Sequence, residues 1–272
     1  MMNISIEEFP PCPLLSPYIH TYWKASFNIN ALPDFTQSVV PNGYVELIIH
    51  LGDDHCVLGG KDDKTGPSPD YTIIGLHTSQ YEVRFDQTVS VFGIRFYPDG
   101  LSSIFGLTPS AIVSTYADTT DLPGTVVNDF CHRIRSCRDS ASRVSLADSM
   151  LSKQLASHAN KFDYTTLAAR IVRQHAGLIT QKDLMREVPI SSRQLQRGFK
   201  DRFGITTKEY MRIARLNAVQ RYMRSKSSID FAAVAYDNGF SDQSHFIREF
   251  RAFTGIAPRR FMRSGKRYIV NM

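Results

Sequence analysis

Cysteine is scarce in this chain, and its thiols are scattered. The 272 residues include 4 cysteines, and no two of them stand in a CxxC pair. No apolar run reaches the ~18–20 residues that a membrane span needs. The N-terminal stretch MMNISIEEFP lacks the basic region and the apolar core of a signal peptide. We therefore expect a cytoplasmic protein whose cysteines are reduced.

Acidic residues are scarce in the second half of the chain. Residues 161–272 hold 22 Lys and Arg against 9 Asp and Glu, whereas residues 1–160 hold 10 against 17. A basic half of this strength suits a polyanionic partner, which the acidic half would repel. The alternative interpretation is a solvated basic surface. Because the chain is long enough for two domains with their own cores, the change of charge sign near residues 157–160 predicts a domain boundary.

The compact His-x-His followed by Glu that a metal-binding β-barrel would use is also absent. Glu46, His50 and His55 are the nearest candidates. Glu46 and His50 would share one face of a strand, but His55 lies beyond the Gly-Asp-Asp sequence that follows it. We therefore expect polar strand residues here, with no metal and no cofactor.

The first 105 residues have the pattern of β-strands. Residues 44–51 (YVELIIHL) and 89–97 (VSVFGIRFY) alternate apolar side chains with others, and segments rich in Pro, Asn and Gly separate such runs. Short strands at this spacing predict a small antiparallel barrel or sandwich. Trp23, with Tyr18 and Tyr22, either lines a pocket of this domain or belongs to its core.

The pattern becomes helical from Leu101 onward. Residues 126–137 and 144–156 predict helices that pack beside the β-rich part or against a second subunit. The resulting fold class is α+β, with a β-rich barrel or sandwich followed by an all-α domain that contains two helix-turn-helix motifs. The predicted domains are a β-rich sensor or dimerisation domain (1–125), a helical connector (126–159) and a DNA-binding domain (160–268).

Two segments of the basic half, 51 positions apart, nearly repeat each other. Residues 192–212 read SRQLQRGFKDRFGITTKEYMR, and residues 243–263 read QSHFIREFRAFTGIAPRRFMR. Six of the 21 aligned positions are identical, where ordinary composition gives about one by chance. Two copies are too few for a solenoid, so we expect a body with two similar contact surfaces. The identical pairs are Arg197/Arg248, Phe199/Phe250, Gly204/Gly255, Ile205/Ile256, Met211/Met262 and Arg212/Arg263.

Each copy predicts a helix-turn-helix. In the first copy a short helix over 180–186 precedes one over 191–203, and in the second a helix over 229–236 precedes one over 242–253. A single helix over 208–224 would join the copies. It would hold the two second helices about 34 Å apart, which is one helical turn of DNA.

Helix caps and apolar stripes support these helices. Capping boxes are expected at Ser191/Gln194 and Thr206/Glu209, with weaker signals at Thr180/Asp183 and Ser227/Asp230 and an N-cap at Ser241. The apolar stripes would face inward and leave the opposite sides of the helices exposed. The stripes are Leu195, Phe199 and Phe203 in the first copy and Phe246, Phe250 and Phe253 in the second.

The outward faces carry side chains suited to reading DNA. Arg binds guanine O6 and N7 in bidentate fashion, Gln binds adenine, and Lys neutralises phosphate. The alternatives are a solvated helix face for each residue, an ion pair within each copy for Arg197 and Arg248, and a simple surface imidazole for His245. The candidate DNA-binding residues are Arg193, Gln194, Gln196, Arg197 and Lys200 in the first copy and Gln243, Ser244, His245, Ile247, Arg248 and Arg251 in the second.

Residues 235–246 read AYDNGFSDQSHF and are followed by Arg248, Phe250, Gly255 and Pro258. With these residues, the segment 165–264 resembles the DNA-binding domain of the AraC-type (AraC/XylS) transcriptional regulators. The other residues that carry the resemblance are Ser191, Arg193, Leu195, Arg197, Phe199, Lys200, Gly204 and Arg215. Pro189 stands where that family often has glycine. Residues 41–47 and 92–98 carry a less specific likeness to sensor domains attached to such regulators.

The resemblance implies a bacterial, sequence-specific transcriptional regulator that binds double-stranded DNA and is not an enzyme. It also implies an N-terminal domain that binds a small effector, forms a homodimer or does both, with RNA polymerase as a further partner. One alternative is a DNA-repair methyl-acceptor enzyme with the same DNA-binding domain, for which the cysteines are too dispersed. Another is an interaction module whose basic face meets a protein. The family's groove-facing positions fall on Arg193, Gln196 and Arg197 in one copy and on Gln243, Ser244, His245 and Arg248 in the other.

Overall fold

The computed structural model, described for residues 3–28, 35–59, 65–158, 163–226 and 228–263, divides into two units. The first unit comprises Met1–Gln37, Tyr44–Leu76 and Glu82–Lys161, and the second comprises Ser38–Gly43, His77–Tyr81 and Phe162–Met272. A β-rich part is followed along the chain by a helical part, which confirms the α+β class. None of the helices in the described ranges combines the length and apolar character that crossing a lipid bilayer requires.

Two sheets form the β-rich part, and their recorded pairings are antiparallel. The strands are β1 (Asn3–Phe9), β2 (Ile19–Asn28), β3 (Phe35–Val39), β4 (Val45–His50), β5 (Val57–Gly59), β6 (Thr65–Pro67), β7 (Tyr71–Ile74), β8 (Tyr81–Phe85), β9 (Val89–Phe96) and β10 (Tyr116–Asp118). One sheet has six strands in the order β1-β2-β9-β4-β7-β10, and the other has four in the order β3-β8-β5-β6. The strands predicted over 44–51 and 89–97 are confirmed as β4 and β9.

The central strands β4 and β9 are buried on both faces. Leu47 and Ile94, which are paired in register, are fully buried on one face, and His50 is fully buried on the other. Phe27 of β2 stacks on Phe85 of β8, with ring centroids 4.3 Å apart, so the smaller sheet covers this second face. The alternation of apolar and other side chains in these strands predicted that only the first face is apolar. Polar side chains of the second face therefore lie inside the first unit.

Helices cover the apolar face of the larger sheet. They are α1 (Pro98–Phe105), α2 (Val126–Arg135) and α3 (Ser140–His158). The hydroxyl of buried Tyr22 donates to Asp148 Oδ1 of α3 at 2.8 Å. The hydroxyl of Tyr71 lies 2.9 Å from His132 Nδ1 of α2. Because α2 and α3 pack on the sheet in this way, both belong to the first unit.

A charged cluster lies on the other face of the larger sheet. Arg95 is 4% exposed, and it donates from Nε to Glu46 Oε1 and from Nη1 to Glu8 Oε1, both at 2.8 Å. Its Cζ lies 5.3 Å from the ring centroid of Trp23, which is also buried. Gly93 makes room for this ring, since a Cβ at that position would lie 2.1 Å from the indole. Glu46 is therefore an ion-pair partner of Arg95, and Trp23 is part of the buried interior.

The helical part consists of helices whose bounds agree with the sequence prediction to within about two residues. The predicted helices over 180–186, 191–203, 208–224, 229–236 and 242–253 are confirmed as α5 to α9. The bounds are α4 (Tyr164–Gln174), α5 (Gln181–Glu187), α6 (Ser192–Phe203), α7 (Thr207–Arg224), α8 (Phe231–Asp237), α9 (Gln243–Thr254) and α10 (Pro258–Arg263).

The predicted caps are mostly confirmed. The boxes at Ser191/Gln194 and Thr206/Glu209 are both formed, and Thr180 Oγ1 accepts from the Asp183 amide at 3.1 Å. Ser227 lies outside the described residues; Asp230 is the N-cap of α8. The prediction that Ser241 caps α9 is wrong. Asp242 is the N-cap, because its carboxylate both accepts an amide hydrogen bond and meets the positive end of the helix dipole.

Candidate nucleic-acid interface

The first recognition helix, α6, is anchored by its apolar stripe. Leu195, Phe199 and Phe203 are fully buried. The rings of Phe199 and Phe203 meet edge to face, with centroids 5.2 Å apart, and Phe199 also lies 5.7 Å from Tyr210 of α7. The opposite side of α6 is left facing outward. Truncating a buried Phe of this kind costs about 3–5 kcal/mol, so this stripe fixes which side is presented.

All the residues predicted to read DNA from α6 are exposed, but several are already engaged within the chain. Gln194 Oε1 accepts from the Ser191 amide at 3.0 Å as part of the capping box. Lys200 Nζ donates to the carbonyl oxygen of Gly204 at 2.9 Å at the end of the helix. Arg197 Nε donates to Asp201 Oδ2 at 3.2 Å. The residues predicted on this face and exposed are Arg193, Gln194, Gln196, Arg197 and Lys200.

The second recognition helix, α9, repeats this plan with its own cap. Phe246, Phe250 and Phe253 are fully buried. Asp242 Oδ1 accepts from the backbone N–H of His245 at 2.7 Å. This amide hydrogen bond favours the charged carboxylate and lowers the pKa of Asp242 below its ordinary value.

The outward face of α9 is only partly as predicted from the sequence. His245 is half-buried, and its Nδ1 lies 3.0 Å from Ser241 Oγ. Ile247 is also half-buried. The imidazole of His245 thus helps to hold the start of the helix as well as facing outward. The predicted residues of α9 that are fully exposed are Gln243, Ser244, Arg248 and Arg251.

Arginines of the joining helix α7 fix the second copy to it. Arg212 Nε donates to Glu249 Oε2 of α9 at 2.6 Å. The guanidinium of Arg215 lies 4.7 Å from the ring centroid of Phe240, and its Nη1 donates to the carbonyl oxygen of Gly239 at 3.3 Å. Partial burial lowers the pKa of Arg215. These contacts make α7 and the second helix-turn-helix one packed assembly.

The repeated glycines Gly204 and Gly255 have one structural cause. Each is the C-cap of its recognition helix, with φ of 70° and 76° respectively. Only glycine adopts this left-handed conformation without strain, so α6 and α9 end in the same way. Gly239, in the turn before α9, has φ of 67°, as its place in the turn predicted.

Asp201 is the residue of this face that the sequence prediction missed. It lies four residues after Arg197, and both side chains are exposed, at 67% and 82%. An acidic residue four positions from a basic one on a helix is a signal that could have identified the pair. The ion pair considered as an alternative for Arg197 is therefore formed. Arg248 has no ion pair with any of the described residues.

The polar residues of the first unit that were weighed as metal ligands have other partners. His50 Nε2 lies 3.1 Å from Ser68 Oγ, and the rings of His50 and His55 lie 4.6 Å apart. Burial lowers the pKa of His50 to about 4. In the described part of the chain, no group of three His, Cys, Asp or Glu side chains is arranged to hold a metal ion.

The cysteines stand apart from one another as free thiols. Cys12 follows β1, Cys56 precedes β5, Cys131 lies within α2 and Cys137 follows it. Burial raises the pKa of both Cys56 and Cys131, which keeps these thiols protonated and unreactive. No observation on these residues favours the methyl-acceptor alternative.

Comparison with known proteins gives separate matches for the two parts of the chain. A family described only as a domain of unknown function matches residues 7–118, and a family described as a helix-turn-helix domain matches residues 184–264. The transcriptional activator NphR of Rhodococcus sp. is 34% identical over 95 residues, which are 34% of this chain and 28% of NphR. The match thus spans little more than a quarter of NphR.

A solved structure with a similar fold covers nearly the whole chain. It is ToxT from Vibrio cholerae O395 bound to (E)-4-(8-methylnaphthalen-1-yl)but-3-enoic acid. The TM-score is 0.50 at 12% sequence identity, over 96% of this chain and 98% of that one. At this identity the likeness is one of fold, and it agrees with a sheet-rich part followed by a helix-turn-helix part.

Proposed function

We propose that this chain is a sequence-specific DNA-binding transcriptional regulator of the AraC type, whose DNA-binding domain is the C-terminal helix-turn-helix part. The observation that carries the proposal is the pair of capped helices α6 and α9. Each is anchored by buried aromatic rings and presents Arg and Gln outward. Such side chains on rigid helices suit the major groove of DNA. Its place of action is then the bacterial cytoplasm, where the DNA lies.

The same geometry supports a reading role for particular residues. Arg193, Gln196 and Arg197 would contact one major groove, and Ser244 and Arg248 the next. The basic side chains around them would neutralise phosphates, which positions the protein without selecting a sequence. Because the exposed tips of the two helices differ, one chain would bind an asymmetric site.

Selection of bound duplexes from a random pool, with the full-length chain, tests this proposal. We expect one asymmetric sequence motif with two contact regions, and affinity that falls steeply as salt rises. The control is the double variant Arg197→Ala/Arg248→Ala, which should keep its fold and lose the motif. Recovery of no motif from the wild-type chain, or salt-independent binding, would contradict the proposal.

For the first unit we propose control of DNA binding by a small molecule. The cluster of Arg95, Glu46 and Trp23 supports this, because a charged group beside an aromatic ring inside a sheet-rich domain is a combination that small-molecule sites use. ToxT, of similar fold, was solved with a bound small organic acid. RNA polymerase and a second copy of the chain are the further partners we propose.

Trp23 offers a direct readout of effector binding, since it is the chain's single tryptophan. A true effector should change Trp23 fluorescence and DNA affinity over the same concentration range. Trp23→Phe is the control that removes the fluorescence signal. Compounds that change fluorescence without changing DNA affinity or subunit association would argue against effector control. Recovery of paired motifs in the pool selection would support a homodimer.

A further inference from the structure

One acidic side chain lies on the proposed DNA-reading face of α6. Asp201 accepts a hydrogen bond from Nε of Arg197 at 3.2 Å, four residues along the same helix. DNA carries a phosphate charge about every 1.7 Å of its axis, so a carboxylate on this face opposes binding unless it does something else. A purely stabilising role explains little, because exposed pairs at this spacing contribute only about 0.3–0.5 kcal/mol.

The atom that Asp201 engages is informative. A guanidinium held at Nε can still donate from the N–H groups of both terminal nitrogens, Nη1 and Nη2. Those two nitrogens form the fork that matches O6 and N7 of guanine. An Arg side chain that is fixed in advance loses less freedom on binding than an unrestrained one. The contact at Nε therefore prepares Arg197 for guanine in particular.

The internal repeat supplies a natural comparison. Arg197 aligns with Arg248, and Asp201 aligns with Ala252, which has no charge. Arg248 is exposed on α9, where its charge acts on the carboxylate of Asp242, but it forms no ion-pair contact among the residues the structure describes. One copy thus has a fixed arginine at this position, and the other has an unfixed one.

We propose that Asp201 is a positioning residue that makes Arg197 selective for guanine, so that the first copy reads its base more strictly than the second. This inference rests on the proposed function. The carboxylate would weaken binding to all DNA slightly through phosphate repulsion, and it would penalise every base that cannot accept from both Nη groups.

The experiment measures base preference at each position of the selected site with the full-length chain. Arg197→Ala first identifies the position that Arg197 reads. Asp201→Ala should then lower the guanine preference there by about three- to tenfold, while affinity for unrelated duplex at low salt rises about two- to threefold. Asp201→Asn keeps an acceptor without the charge. It should restore part of the guanine preference and leave the raised nonspecific affinity.

The reciprocal variant is Ala252→Asp, which builds the same pair in the second copy. It should sharpen the preference at the Arg248 position and lower nonspecific affinity. Thermal unfolding of each variant checks that the exposed substitutions leave the fold intact.

The outcomes separate the two proposals. If the wild-type chain selects a motif but Asp201→Ala keeps its guanine preference, Asp201 is an ordinary surface ion pair and the inference is wrong. Equal losses at all positions would also overturn it. If the wild-type chain selects no motif at all, both the proposed function and this inference fail.

Discussion

Compared residue by residue, α6 and α9 differ far more on their exposed sides than on their buried ones. Both bury an aromatic stripe and end at a glycine with positive φ. Their starts differ, since Ser191 forms a capping box in one and Asp242 supplies a carboxylate in the other. Their exposed sides differ as well, with Asp201 in one where Ala252 stands in the other. The interior is constrained by packing, whereas the outward positions are free to diverge and to read different bases.

The largest losses of stability should come from truncating the buried aromatic side chains that α6 and α9 have in common. Phe199→Ala and Phe250→Ala should each lower the free energy of unfolding by about 3–5 kcal/mol, because each ring is fully buried among other aromatic rings. Chemical denaturation of the full-length chain measures both changes. The exposed Gln196→Ala is the matched control and should change stability little. A large difference between the two Phe variants would mean that the two interiors are less alike than their sequences.

Changes of the two arginines that we propose to read DNA should have the next largest effects. Arg197→Ala and Arg248→Ala should each weaken binding to the selected site by about 1–3 kcal/mol, with loss of preference at one base position. Titration of labelled duplexes gives both values. The base preference that is lost should be greater for Arg197→Ala than for Arg248→Ala. If Arg248→Ala loses more base preference than Arg197→Ala, the contact with Asp201 does not make Arg197 the more selective arginine.

Removal of the caps should have a smaller effect. Ser191→Ala leaves an amide of the first turn of α6 without its partner and should cost about 1 kcal/mol of stability. Asp242→Ala should also be destabilising, through loss of the hydrogen bond from the His245 amide. Ser191→Thr and Asp242→Asn keep the acceptor and are the controls. If the Ala variants leave the hydrogen-exchange protection of α6 and α9 unchanged, the caps do not stabilise these helices and the prediction is wrong.

The weakest expected difference is one of pH dependence. The His245 amide holds the pKa of Asp242 lower in the folded chain than its unfolded value of about 3.9. The stabilisation by this cap is therefore complete above about pH 4 and is lost as the pH falls through the lower folded value. Ser191 does not titrate. The destabilisation by Asp242→Ala should shrink on acidification, while that of Ser191→Ala stays constant; thermal unfolding below pH 5 tests this.

Much of the reading domain could be predicted from the sequence because its signals are local. Helix periodicity and capping pairs involve neighbours within a few positions, and the repeat shows the same local pattern twice. The helices lie where these signals predicted them. The N-cap of α9 was placed one residue early because Ser241 and Asp242 are both good caps. In the structure Asp242 has the extended backbone of an N-cap, and its side chain accepts from the His245 amide.

Other features could not be predicted because they depend on distant partners. Arg95 and Glu46 stand on strands that read as half-polar, and the burial of Arg95 depends on Glu8 of β1, Glu46 of β4 and Trp23 of β2, which are far apart in the chain. The partners of Arg212 and Arg215 in the second copy, Glu249 and Phe240, are likewise distant along the chain.

The sequence by itself determined that two similar helical units exist, where their helices run and which side of each helix is buried, because periodicity and capping act within single elements. The tertiary structure alone decided that polar residues of β4 and β9 are enclosed. It also decided that Arg212 and Arg215 fix α7 to the second copy. Both outcomes require elements far apart in the chain to meet, and no local pattern specifies such meetings.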